Sequence, residues 1–192
     1  MTNRRQFLKT TALGATIALC GLVQGPAFAE EKIKIGFSQA TMNHPWRVAM
    51  VEGNKKYAAE HYPDVDLIVT DGNNDAGKQV ADVESLMAQG IQVLMISPLT
   101  EQALTPVVRD AMERGIKVVT LDRKVNTPVT VHVGGENLPL GVGAGEFLAK
   151  KLDGKGAIIE LQGTAGASAT IDRNKGFAEA IAKYPGMKVV AS

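Results

Sequence analysis

Cysteine is almost absent. Cys20 is the only one in 192 residues, and it sits in the apolar run of an N-terminal export signal. A chain processed behind that signal has no disulfide, no thiol nucleophile and no thiolate metal site. Histidine is nearly as scarce. His44, His61 and His132 are scattered and make no metal-ligand pattern. Neither sign of charge dominates, since the formal net charge is +1. That excludes the electrostatic footprint of a protein that binds nucleic acid or an anionic membrane. Low-complexity segments and repeats of solenoid period are lacking too.

The N-terminal stretch MTNRRQFLKTTALGATIALCGLVQGPAFAEE has Arg4, Arg5 and Lys9, then an uncharged apolar run from Thr10 to Val23. Ala27-Phe28-Ala29 forms a small-residue cleavage site. The adjacent arginines before Phe-Leu-Lys look like a twin-arginine signal. The run is short for a membrane span, and no stop-transfer charges follow it. The reading is a signal peptide over 1–29, cleaved after Ala29. Its loss removes three cations and no acid, which takes the formal charge from +1 to −2 and leaves 163 residues. That length can bury one ordinary core.

Behind the signal, strand and helix patterns alternate. Strands are expected at 32–37, 65–70, 91–97, 117–121, 130–133, 157–161 and 187–191. Helices are expected at 45–62, 75–89, 101–114, 138–152 and 171–183. Pro45 suits the first turn of its helix, and Gly90 and Gly115 suit the position just past a helix end. On the first helix, Trp46, Ala49, Met50 and Tyr57 follow the helical period and predict the buried stripe. The alternation predicts an α/β fold, a parallel sheet with helices on both faces. In such sheets ligands bind beyond the carboxyl ends of the strands. The loops of interest are therefore SQATMNHPWR, DGNNDAGK, SPLT, DRKVN and QGTAGASATIDR.

Three of these loops carry chemistry. Asp122-Arg123 places an acceptor pair beside a planar multiple donor, which suits vicinal sugar hydroxyls that both give and take hydrogen bonds. The alternative is an ion pair that closes the turn. Asn43, His44, Trp46 and Arg47 follow the first strand. The single tryptophan offers a flat face to a sugar ring, or it is simply core. His44 is a ligand contact, a helix cap or a surface group. Asp172-Arg173 is a second acid–base pair at the expected start of a helix, where the macrodipole alone would favour the acid.

Other motifs are incomplete. Gly72 to Lys78 has P-loop spacing, but Gln79 stands where Ser or Thr would hold magnesium, and Asp75 would put a carboxylate in the phosphate cradle. A turn with a helix cap explains those residues. Gly141, Gly143 and Gly145 are followed by Glu146 where a dinucleotide motif needs glycine. Gly166-Ala-Ser168-Ala-Thr170 lacks the second glycine of a nucleophile elbow. No catalytic residue, metal site or cofactor is expected.

From Lys32 to Ser192 the chain resembles the periplasmic sugar-binding proteins of ABC importers, type I, in the ribose and galactose group. The marks are IGFSQ in the first strand, the aromatic at the first helix start, ISP at 96–98, LDR at 121–123, and IELQGTAGASATIDRNKGFAEAI at 159–181. Within the group the residues look most like the galactofuranose-binding type, which shares Trp-Arg and Ile-Asp-Arg. It differs from this chain in having Glu-Ser-Gly where Asn43-His44-Pro45 stands.

The resemblance implies two α/β lobes that close on one monosaccharide and deliver it to an ABC permease in the inner membrane. It implies that Trp46 stacks on the sugar, that Asp122 and Arg123 hold its hydroxyls, and that Asp172 and Arg173 share that role, while Asn43, His44 and Arg47 stay candidates on the chemistry of their own loop. It divides the chain into a lobe at 30–133 and an incomplete lobe at 134–192, hinged at His132, Val133, Gly134 and Gly135. The chain then reads as a truncated product, monomeric and periplasmic, binding sugar weakly or not at all. Three other readings use the same pattern. One is a sensory binding protein for a chemoreceptor or histidine kinase. Another is an exported flavodoxin-like enzyme. The third is a regulator of the same fold, which would need a helix-turn-helix where the export signal stands.

Overall fold

The computed structural model describes residues 32–192. The expected export signal and its cleavage after Ala29 lie outside the described residues. Twelve elements follow one another as strand and helix, apart from the direct step from β4 to β5. The first sheet takes its strands in the order β2-β1-β3-β4-β5, with β1 Ile33–Gln39, β2 Val65–Asp71, β3 Val93–Ser97, β4 Lys117–Leu121 and β5 Val131–Val133. Every pairing is parallel. Helices α1 Pro45–His61, α2 Ala76–Ala88 and α3 Glu101–Glu113 connect the first four strands.

Alternate strand residues feed two different cores, as the period of two requires. Leu94, Ile96 and Val118 pack with Val83, Leu86, Leu104 and Val108 of α2 and α3. Phe37, Met95, Val119 and Leu121 turn the other way and meet Met50 and Val51 of α1. The sheet is thus covered on both faces, as the near-continuous apolar strands predict. Gly115 ends α3 in the left-handed conformation, φ +84°. Its amide bonds to Met112, and the Ile116 amide reaches back to Ala111. This pair of hydrogen bonds is how a glycine just past a helix end satisfies its last carbonyls.

The buried stripe of α1 differs from the expected one. Trp46 is 50% exposed and Tyr57 58% exposed, while Arg47 and Val51 are the buried residues. The stripe is displaced by one residue, because a buried arginine with polar partners occupies a position that an apolar count assigns to solvent.

The second sheet pairs β6 Lys155–Ile159 with β7 Gly186–Ala191, again in parallel. Helices α4 Asn137–Lys151 and α5 Ser168–Ile181 lie together over it, through Ala149, Phe177, Ile158 and Met187. Strand β6 starts two residues before the apolar run that predicted it, since pairing begins with Lys155 against Gly186. Helix α5 also begins earlier than expected, at Ser168. Its small residues look like loop in sequence but form the first turn.

The G-x-G-x-G stretch has a packing role. An added Cβ at Gly141 would strike the carbonyl oxygen of Arg173, and one at Gly145 would lie 2.6 Å from the Ala180 Cβ. From the facing helix, a Cβ at Gly176 would strike the Leu138 carbonyl oxygen. Helices α4 and α5 therefore touch backbone to backbone.

Candidate functional site

Strand order reverses between β1 and β3, so a crevice opens beyond their carboxyl ends. Gln39 ends β1 and Ser97 ends β3, side by side in register. Beyond them α1 starts. His44 is its cap, with Nδ1 accepting the Trp46 amide at 3.2 Å, and Pro45 fills the first helical position. That turn aims Arg47 inward and leaves Trp46 at the rim. Nη1 of Arg47 donates to Gln39 Oε1 and to Ser97 Oγ, both at 2.8 Å. Nη2 approaches Asp122 Oδ2 at 3.5 Å. Burial pulls the Arg47 guanidinium below its ordinary value, and Asp122 offsets part of that.

Asp122 follows β4 with φ +63°. The Arg123 amide donates back to the Leu121 carbonyl at 2.6 Å, closing a γ-turn around Asp122. Such turns with positive φ are strained, and strain of this kind collects at binding sites. The Asp122 amide is tied to the Val133 carbonyl at 2.8 Å. Arg123 donates Nη1 to the carbonyls of Leu99 (2.9 Å) and Pro98 (3.3 Å). Its Nη2 crosses to Thr164 Oγ1 at 3.2 Å. Burial first, then the positive charge of Arg47, lowers Arg123 to about 10, against the pull of Asp122, so it stays cationic at neutral pH. Arg173 on α5 donates Nε to Asn137 Oδ1 at 2.9 Å, and Asn137 Nδ2 in turn holds the Gly135 carbonyl at 3.2 Å.

These groups surround a cavity of about 640 Å³. Asn43, His44, Trp46, Arg47, Asp122, Arg123 and Arg173 all line it. Asp172 does not. Because α5 begins at Ser168, Asp172 lies in the second turn, half-buried and outside the cavity wall. His132 sits on β5 with Nδ1 2.9 Å from Thr120 Oγ1, and Gly134 packs so closely that a Cβ would lie 2.7 Å from His132 Nε2. Three guanidinium groups and one carboxylate face the same space. Such a wall is rich in planar donors and suits a ligand rich in oxygen.

The remaining wall consists of Thr41, Asn74, Gly163, Thr164, Ala169 and Thr170. Only Asn74 leaves a sequence signal. Asn73 and Asn74 both take positive φ, 50° and 59°, in the loop after β2. Consecutive asparagines beyond a strand end are among the few non-glycine residues that tolerate this conformation. Asp75 caps α2 by accepting the Lys78 amide at 2.9 Å, and the Lys78 ammonium is occupied by Asp82, so the P-loop spacing is a capped turn. Among the described residues no group of three His, Cys, Asp or Glu is placed to hold a metal ion.

A model of the periplasmic binding protein domain matches residues 35–192. The chain belongs to the periplasmic binding protein domain family. It is 35% identical over 174 residues to the ribose import binding protein of Haemophilus influenzae, covering 90% of this chain and 58% of that protein. It is 34% identical over 165 residues to the galactofuranose-binding protein of Escherichia coli, covering 83% of this chain and 51% of that one. Among solved structures it matches a fructose-binding periplasmic domain of a hybrid two-component system, with a TM-score of 0.78 and 32% identity over 83% of this chain and 53% of the other. The chain thus spans little more than half the length of these relatives. The doubly wound parallel architecture is the type I form of the family.

Proposed function

We propose that this protein binds a monosaccharide in the cavity beyond the first sheet and releases it unchanged. The observation that carries the reading is the shared cavity itself. A half-exposed indole, a carboxylate and three guanidinium groups line one space of about 640 Å³. An aromatic face covers the C–H side of a sugar ring, while charged groups pair with its hydroxyls at roughly 1.5–3 kcal/mol each. Relatives named for binding ribose and galactofuranose support a binding role over catalysis. Galactofuranose, galactose, ribose and related sugars are the ligand class.

On this reading 30–133 and 134–192 act as two jaws that bend at His132, Val133, Gly134 and Gly135. Ligand contacts on both jaws favour closure, and an ABC permease takes the closed form. Export with cleavage after Ala29 puts the protein in the periplasm, as a monomer without a cofactor. A second reading is sensory, for a chemoreceptor or a histidine kinase. Similarity to the fructose-binding domain of a two-component system favours it. Permease and ATPase genes beside this one would favour uptake, and a kinase gene would favour sensing.

The test uses the chain's one tryptophan as reporter. Ribose, arabinose, galactose and fructose are titrated while Trp46 fluorescence and NMR are followed. Saturable binding near millimolar is expected, equivalent to about −4 kcal/mol. No response up to roughly 100 mM (about −1.4 kcal/mol), or consumption of the sugar, would defeat the reading. Trp46→Ala should weaken binding at least about tenfold, or ~1.4 kcal/mol. It should barely change the melting temperature, because half the indole is already in water. A fall in stability with unchanged affinity would make Trp46 a packing residue.

A further inference from the structure

Below the cavity lies a polar layer that the binding reading leaves unused. Gln39 and Ser97 are fully buried, at 0% exposure each. Both accept from the same Arg47 nitrogen, so the two Nη1 protons are spent inside the protein. The layer is itself held in place. Gln39 Oε1 also accepts the Ala40 amide at 3.0 Å, and its Nε2 lies 3.6 Å from Met50 Sδ. The Ser97 carbonyl accepts Gln79 Nε2 at 3.0 Å, and Gln79 Oε1 accepts the Leu99 amide at 2.8 Å. Arg47 therefore has little freedom about its last torsions. Its remaining end group, Nη2, has one long contact, with Asp122 Oδ2 at 3.5 Å.

We propose that Gln39 and Ser97 are positioning residues. By occupying Nη1 they present Nη2 of Arg47 beside the Asp122 carboxylate as one preset donor–acceptor edge. That edge selects ligands with two neighbouring hydroxyls, one to accept from Arg47 and one to donate to Asp122. A guanidinium free to rotate would lose this selection and would be ordered only on binding, at an entropic cost. The selectivity rests on the sugar-binding reading, whereas the fixing of Arg47 does not.

The experiment is arginine side-chain NMR on the 192-residue chain, followed by sugar titration. In the parent protein, Nη1 and Nη2 protons of Arg47 should give separate, slowly exchanging signals. Gln39→Met should merge them into one averaged signal and weaken sugar binding about tenfold, or ~1.4 kcal/mol. Gln39→Glu keeps an acceptor at the same place and should keep the signals separate. Ser97→Ala, a smaller deletion, makes the same test with Gln39 retained and should broaden the Nη1 signals. Separate signals of parent-like width in both Gln39→Met and Ser97→Ala overturn the proposal, as does unchanged affinity in Gln39→Met. If the signals respond as expected but no sugar binds the parent, the positioning stands and the binding reading falls.

Discussion

Gly176→Ala is expected to cost about 3 kcal/mol, the upper end of the ordinary overpacking range. Its new Cβ would strike the Leu138 carbonyl oxygen and come within 2.9 Å of the Val142 amide nitrogen. Those are backbone atoms of α4 and have no rotamer by which to move aside. The helices must separate, and the Ala149–Ile158–Met187 cluster beneath them loosens. At roughly 2–4 °C per kcal/mol, the melting temperature should fall by about 6–12 °C. Gly141→Ala should act alike from the other helix, and it presses on the carbonyl of Arg173 itself. The cavity wall then moves with the packing fault. Gly143→Ala is the counter-case. Nothing lies within 4 Å of its Cβ, and the residue is exposed in mid-helix. Alanine there should stabilise by roughly 0.5–1 kcal/mol. Thermal melts followed by circular dichroism separate the three. A Gly176→Ala melt that overlays the parent would show that the two helices accommodate a methyl group freely.

That contrast between Gly141 and Gly143 also marks how far the sequence can be read. Periodicity and end signals located the elements well. Gly90 and Gly115 stand just past their helices with φ of 77° and 84°, and Asp75 caps α2. These depend on local chemistry, which neighbouring residues reveal. Gly141 and Gly145 of α4 depend on a partner helix more than thirty residues away, so the glycine spacing alone could suggest a nucleotide loop. The site divides the same way. Charged and aromatic candidates stood out because few residue types carry such chemistry, and all except Asp172 line the cavity. Thr41, Gly163, Thr164, Ala169 and Thr170 have no such mark, since they are small groups that line it by position. Arg47 is the instructive case. As a surface cation it would have shifted nothing. Buried against Gln39 and Ser97, it rotates the packed face of α1 and leaves Trp46 on the rim. Apolar periodicity cannot anticipate that, because the partners come from the ends of two separate strands.

Asp122 joins the strain, the charge and the ligand contact in one residue, and its variants should separate them. Among the described residues it is the one carboxylate lining the cavity, which three guanidinium groups also line. Asp122→Asn keeps a side chain that tolerates φ +63° and removes the charge. Sugar binding should drop roughly ten- to hundredfold, the loss of a hydrogen bond to a charged group at about 1.5–3 kcal/mol. Asp122→Ala should lose as much affinity and be less stable than the asparagine variant by ~1 kcal/mol, because alanine resists the left-handed conformation. A pH effect follows from the same removal. Burial and Arg47 hold Arg123 at about 10 in the folded protein, well below its ordinary value, and Asp122 opposes them. The folded value of a base is depressed, so between those limits the unfolded chain binds more protons and stability rises with pH. Without Asp122 the folded value falls further, and the rise should begin at lower pH. Urea melts from pH 8 to 11 should therefore show Asp122→Asn recovering part of its deficit as pH climbs. A deficit that stays constant across that range would mean that Asp122 does not act on Arg123 through charge, and the carboxylate's role in the cavity would have to be sought in its contact with the ligand alone.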